Sequence, residues 1–145
     1  MNNRRYSKFL VRLVTVLMLL SLLVNPALAS PGTTTRVSVA SNGAQGNGDS
    51  ESPSISADGR YVAFSSDASN LVSGDTNGAW DVFVHDRQSG QTTRVSAASD
   101  GAQGNGWSAF PSISADGRYV AFVSRASNLV SGDTNDTWDV FVHDR

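Results

Sequence analysis

The chain has 145 residues, with 13 acidic against 11 basic side chains and no cysteine. Four of the basic residues lie before position 13; the remainder keeps seven arginines and no lysine against twelve Asp and one Glu, a formal charge of −6. That balance excludes a basic surface for nucleic acid or an anionic membrane, and the lack of cysteine excludes disulfides as a supplement to the core.

The first segment reads as a secretory signal peptide over 1–29, helical in form, with Arg4, Arg5 and Lys8 ahead of an apolar run of 12 residues, Leu13 to Val24, and a small-x-small site at Ala27-Leu28-Ala29. Twelve apolar residues are too few for a comfortable membrane span, so an uncleaved anchor is the lesser alternative. The Arg4-Arg5 pair lacks the flanking residues of a twin-arginine signal, which favours general export. The expected location is the periplasm, the cell surface or the medium, with no membrane span after removal of the signal.

The rest, 30–145, is repetitive. Thr34–Arg87 aligns without gaps on Thr92–Arg145, and 45 of the 54 positions are identical. A period of 58 residues implies stacked units, none of which buries its apolar faces alone. Unit one covers about 34–91 and unit two about 92–145. Within unit one, strands are expected at Ser52–Ser56, Tyr61–Ser65, Trp80–Asp86 and Thr92–Ala98, joined by the tight turns "ADGR" and "RQSGQ" and by long loops rich in Asp, Asn and Gly. A lone fourth strand, 34–39, precedes them. No sustained helical periodicity follows position 30. Tyr61-Val62-Ala63-Phe64 and Val82-Phe83-Val84 are apolar on both strand faces, which suits a sheet covered on both sides. The fold class is therefore all-β: two tandem four-stranded antiparallel propeller blades, an incomplete propeller.

The segments "SISADGRYVAF" and "DVFVHDRQSGQTTRVS" resemble the WD40-like, PD40-type repeat of TolB-like propellers. Ser56, Asp58, Gly59, Arg60, Ala63, Phe64, Val82, Val84 and Asp86 carry the likeness, as do their counterparts from Ser114 to Asp144. The long loop between the second and third strands departs from the usual repeat. The resemblance implies blades that serve binding or scaffolding, or that support a hydrolase or peptidase-like domain outside this chain.

Two blades do not close a ring of four to eight. Either the chain is a fragment of a longer propeller, which is the favoured expectation, or about three chains assemble, each lending its first strand to a neighbour.

Topology puts both long loops of each unit at one end of the sheet and the tight turns at the other. The long-loop end is the expected binding surface, for a protein or a glycan. On it, Asp75, Asn77 and Asp81 recur as Asp133, Asn135 and Asp139. Oxygen ligands at this spacing suit calcium, the one cofactor the pattern offers, but the alternative is that they cap turns through Asx hydrogen bonds. Ala79 and Trp80 stand where a helix-loop-helix calcium loop needs other residues. Two positions break the repeat with aromatics: Asp49 becomes Trp107 and Ser52 becomes Phe110, suited to stacking on a ligand or to covering a neighbouring blade. His85 and His143 are expected as packed histidines. No nucleophile motif stands out, and near-identical units favour multivalent binding over a single asymmetric active site, so no catalytic residues are assigned.

Overall fold

A computed structural model of the chain describes residues 32–145, and the expected signal peptide helix over 1–29 lies outside the described residues. The chain divides into two units, Met1–Thr34 and Thr35–Arg145. The second unit is all-β, as expected. Strands β1 (Ser50–Ile55), β2 (Tyr61–Ser66), β3 (Asp81–Asp86) and β4 (Thr92–Arg94) form one antiparallel sheet in that order, and β5 (Ser108–Ile113), β6 (Tyr119–Ser124) and β7 (Asp139–Asp144) form a three-stranded sheet. These are two successive propeller blades, the second with three strands among the described residues.

The residues explain the meander. Ser56 and Asp58 shape the β1–β2 turn: the Ser56 hydroxyl donates to Asp58 Oδ1 at 2.6 Å, and that same oxygen accepts from the Arg60 backbone N–H at 3.0 Å. Gly59 takes φ +72° there, a conformation open to glycine at no steric cost. Pro53 and Pro111 lack an N–H and sit on the outer strands β1 and β5, where the register shifts between Glu51 and Ser54 and between Ala109 and Ser112. The preceding Ser52 and Phe110 both take φ 52° at these bulges.

The two sheets pack face to face. Ala63, Val82, Val84 and Val95 of the first form one buried cluster with Val120, Phe122, Ala126 and Leu129 of the second. On the opposite side of the first sheet, Phe64, Ala68, Leu71 and Phe83 form a separate cluster. Backbone bonds from Ala57 N–H to Ala115 O (3.0 Å) and from Ser108 N–H to Trp80 O (2.7 Å) tie the sheets together. The sheet that looks apolar on both sides in sequence is therefore covered on both.

Two expectations need correction. The fourth strand is only Thr92–Arg94, shorter than Thr92–Ala98. The N–H groups of Val95 and Ser96 both turn to Val82 O, which breaks the regular ladder. The stretch 34–39 forms no ladder: Val39 makes one isolated bridge to Gln45, and its N–H turns back to Val37 O at 2.9 Å, which bends the chain at Ser38.

Candidate functional site: the long-loop end

Antiparallel pairing sends the β2–β3 and β6–β7 loops, and the connections entering β1 and β5, to the same end of the sheets. These loops are laced together by asparagines. Asn70 accepts from Asn47 N–H at 2.9 Å and donates from Nδ2 to Gln45 O at 2.9 Å. Asn128 repeats this with Asn105 N–H (2.9 Å) and Gln103 O (2.8 Å). Gly48 and Gly106 allow the approach, since a Cβ on either would lie about 2.9 Å or less from the backbone or side chains of the adjoining loop.

The Asp/Asn pattern of the first loop is brought together in an unexpected way. Asp81 is fully buried, and Asp75 lies beside it. Asp81 Oδ1 accepts from the Ser96 hydroxyl at 2.6 Å; Asp81 Oδ2 and Asp75 Oδ1 accept from the amide of Gln103 at 3.0 and 2.9 Å. Arg94 Nη1 stands 3.6 Å from Asp81 Oδ2 and 3.7 Å from Asp75 Oδ1. Burial pushes the Asp81 carboxyl above its ordinary value, and the bonds from Ser96 and Gln103 and the charge of Arg94 pull the other way. Asn77 closes an Asx turn, accepting from Ala79 N–H at 3.0 Å, while its Nδ2 donates to Asp81 and to Gly104 O. The Asn77 oxygen thus faces its own backbone, and the positive charge between the carboxylates is that of a guanidinium. In this arrangement the side-chain oxygens of Asp75, Asn77 and Asp81 are engaged by donors of the protein itself. In the second loop, Asn135 again accepts from Thr137 N–H (3.1 Å) and presents its amide nitrogen to Asp139 Oδ2 (2.9 Å); Asp133 is half-exposed. Among the described residues no three His, Cys, Asp or Glu are grouped to share a metal ion.

Arg94, Gln103 and Ser96 are the residues that sequence reasoning missed. Their signal was the repeat itself: Arg36, Gln45 and Ser38 occupy the same places one period earlier.

Trp107 and Phe110 are both exposed, at 56% and 67%. Trp107 stands at the long-loop end beside the start of β5, and Phe110 follows in the β5 bulge. Trp138, just ahead of β7, is also largely exposed. Trp107 and Trp138 therefore flank the end of the second sheet, roughly 10 Å apart by strand spacing. His85 is buried, its Nδ1 2.9 Å from the Thr92 hydroxyl, and burial lowers its pKa. His143 occupies the matching place on β7, its pKa also lowered by burial.

No family model matches this chain, and no curated protein matches it. Among solved structures it is similar to TolB from Acinetobacter baumannii, with 26% identity, 66% of this chain covered and a TM-score of 0.42; the chain spans 18% of that protein's length.

Proposed function

We propose that this chain is an exported, non-catalytic binding module that presents the long-loop end of its blades to a glycan. The observation that carries the reading is the exposed pair Trp107 and Trp138, set among Asp, Asn, Ser and Thr side chains. An indole face accepts the apolar face of a sugar ring, and the surrounding amides and hydroxyls accept or donate to its hydroxyls. Most polar groups of the loops are bonded to one another, which gives the aromatics a rigid frame. No helix among the described residues is long and apolar enough to cross a membrane. Export is supported by Arg4, Arg5 and Lys8 ahead of the apolar stretch Leu13 to Val24.

A glycan array with the purified chain tests this. Binding to one sugar class, lost on Trp107→Ala while the melting temperature holds, is the expected result. Silence across the array, with a protein captured through the same Trp107-dependent surface, would move the ligand from glycan to protein.

A further inference from the structure

A groove of about 800 Å³ lies along β7, with Ala97, Ala98 and Ser99 on one side and Phe141, Val142 and His143 on the other. One period earlier the same groove, between Val39, Ala40 and Ser41 and the strand β3, is filled by β4. There Thr92 N–H donates to Ser41 Oγ at 3.0 Å and the Thr92 hydroxyl to Val39 O at 2.5 Å. Val84 pairs with Thr93, Phe83 with Arg94, and Val95 N–H donates to Val82 O at 2.8 Å.

The residues that would fill the empty groove are present in the same chain. Thr34-Thr35-Arg36-Val37-Ser38 is identical to Thr92-Thr93-Arg94-Val95-Ser96. In one copy Thr35 and Arg36 are exposed and in no ladder, and Val37 and Ser38 are half-buried. The groove lacks what this segment carries. Val140 and Val142 are 75% and 66% exposed, whereas their counterparts Val82 and Val84 are at 0% and 1%. Asp139 has the amide of Asn135 but, among the described residues, no guanidinium near it, whereas buried Asp81 has Arg94.

The hairpin that carries the segment is also placed alike in both units. Gly46 N–H meets Ser38 O at 3.1 Å, as Gly104 N–H meets Ser96 O at 3.1 Å. The displacement that carries unit one onto unit two would therefore set the segment of a second molecule on β7.

We propose that a second copy of this chain seats Thr34–Ser38 in the groove as the fourth strand of the β5–β7 sheet. Arg36 then faces Asp133 and Asp139 as Arg94 faces Asp75 and Asp81. Ser38 donates to Asp139, Val37 joins Val140, and Thr34 meets His143. The contact is head to tail, and closure at four to eight blades takes about two to four copies.

The chain has no native cysteine, so a cross-link reads the register directly. Thr35→Cys and Val142→Cys are made in separate full-length chains, both at exposed positions, and mixed under mild oxidation. A disulfide-linked pair that forms only in the mixture is expected, together with an oligomeric mass by light scattering that Arg36→Glu abolishes and Arg125→Glu does not. A mass of one chain at every concentration, with both thiols still free in the mixture, overturns the proposal. So does equal linkage between Thr35→Cys and the out-of-register Val140→Cys.

Discussion

Arg60 and Asp86 close the turn end of the first sheet through two parallel hydrogen bonds, Nε to Oδ1 at 2.9 Å and Nη2 to Oδ2 at 2.7 Å. Arg118 and Asp144 repeat the clamp at 2.7 and 2.8 Å. The clamp joins the β1–β2 turn to the end of β3, and Ser89 adds a bond to Asp86 at 2.9 Å. The Ser-x-Asp-Gly-Arg signature and the distant strand-ending Asp are thus one structural device.

The two clamps differ in surroundings: the side chains of Arg60 and Asp86 are 39% and 10% exposed, those of Arg118 and Asp144 59% and 50%. Solvent screens the second more strongly. Arg60→Met is expected to lower the melting temperature by a few degrees, and Arg118→Met by less, measured by thermal circular dichroism at pH 7. The Arg60 guanidinium, together with the Gln88 N–H and the Ser89 hydroxyl, holds the Asp86 carboxyl far below its ordinary value. A depressed folded pKa gives stability that is complete above the unfolded value of about 3.9 and fades as pH falls toward the folded one. The difference between wild type and Arg60→Met should therefore shrink steadily below about pH 4. A constant difference down to about pH 2 would mean the arginine acts through packing alone.

Much of this was legible in the sequence because the signals are local or periodic. Tyr61 to Ser66 and Asp81 to Asp86 are β-rich runs bounded by turn residues, and the 58-residue repeat implies sheets covered on both sides. The rest depends on distance along the chain. Asp75 and Asp81 look like a local ligand loop, yet their partners come from Ser96 and Gln103, 15 and 28 residues away at the extremes. The fourth strand ends early because Val95 and Ser96 share one acceptor, which no propensity encodes. Trp107 and Phe110 were visible only as breaks in the repeat; Phe110 sits in the β5 bulge and Trp107 just ahead of the strand, and that both stand in solvent is set by tertiary placement, which the repeat pattern does not carry.

Arg94 has the largest structural role of the residues that the sequence pattern hid. It lies beside two carboxylates, one of them wholly buried. Removing one partner of a buried pair leaves the other charge uncompensated, at a cost of about 3–5 kcal/mol. Arg94→Met is expected to destabilise by roughly 3 kcal/mol at pH 7, read from urea denaturation. Without the guanidinium, the Asp81 carboxyl rises further above its unfolded value. The loss should then be smallest at acid pH, where the buried carboxyl is protonated in both chains, and grow as pH rises. Asp81→Asn in the Arg94→Met background should recover part of it.

Calcium provides a separate check on the same carboxylates. Gln103, Ser96 and Asn77 already donate to the oxygens of Asp75 and Asp81, and the Arg94 guanidinium stands 3.6 to 3.7 Å away as their counter-charge, so an added divalent ion would have to displace these groups. The melting temperature is expected to be the same in a chelator and in millimolar calcium. A rise on adding calcium that disappears in Asp133→Asn but survives in Asp75→Asn would assign a cation to the second loop.

Gly117 and Gly59 hold the same place in the two turns, at φ +75° and +72°, yet they should not tolerate the same change. An alanine at either position adopts a left-handed conformation at a cost of about 1–2 kcal/mol. At Gly59 the new methyl meets nothing nearer than Arg87 Nη1 at 3.6 Å. At Gly117 it would lie 2.2 Å from Tyr61 Cδ2 and 2.9 Å from Cγ, so the whole ring must move. That ring is packed against the cluster between the sheets, and the Arg145 guanidinium stands 4.3 Å from its centroid. Displacing it loosens the contact between the two blades, and overpacking of this kind adds about 1–3 kcal/mol. Gly117→Ala is therefore expected to shift the urea midpoint clearly further than Gly59→Ala. Measured against Tyr61→Ala alone, adding Gly117→Ala should then shift the midpoint no further than Gly59→Ala does in the wild type, because the clash has one partner. Equal midpoints for the two single variants would show that Tyr61 does not bridge the sheets in solution.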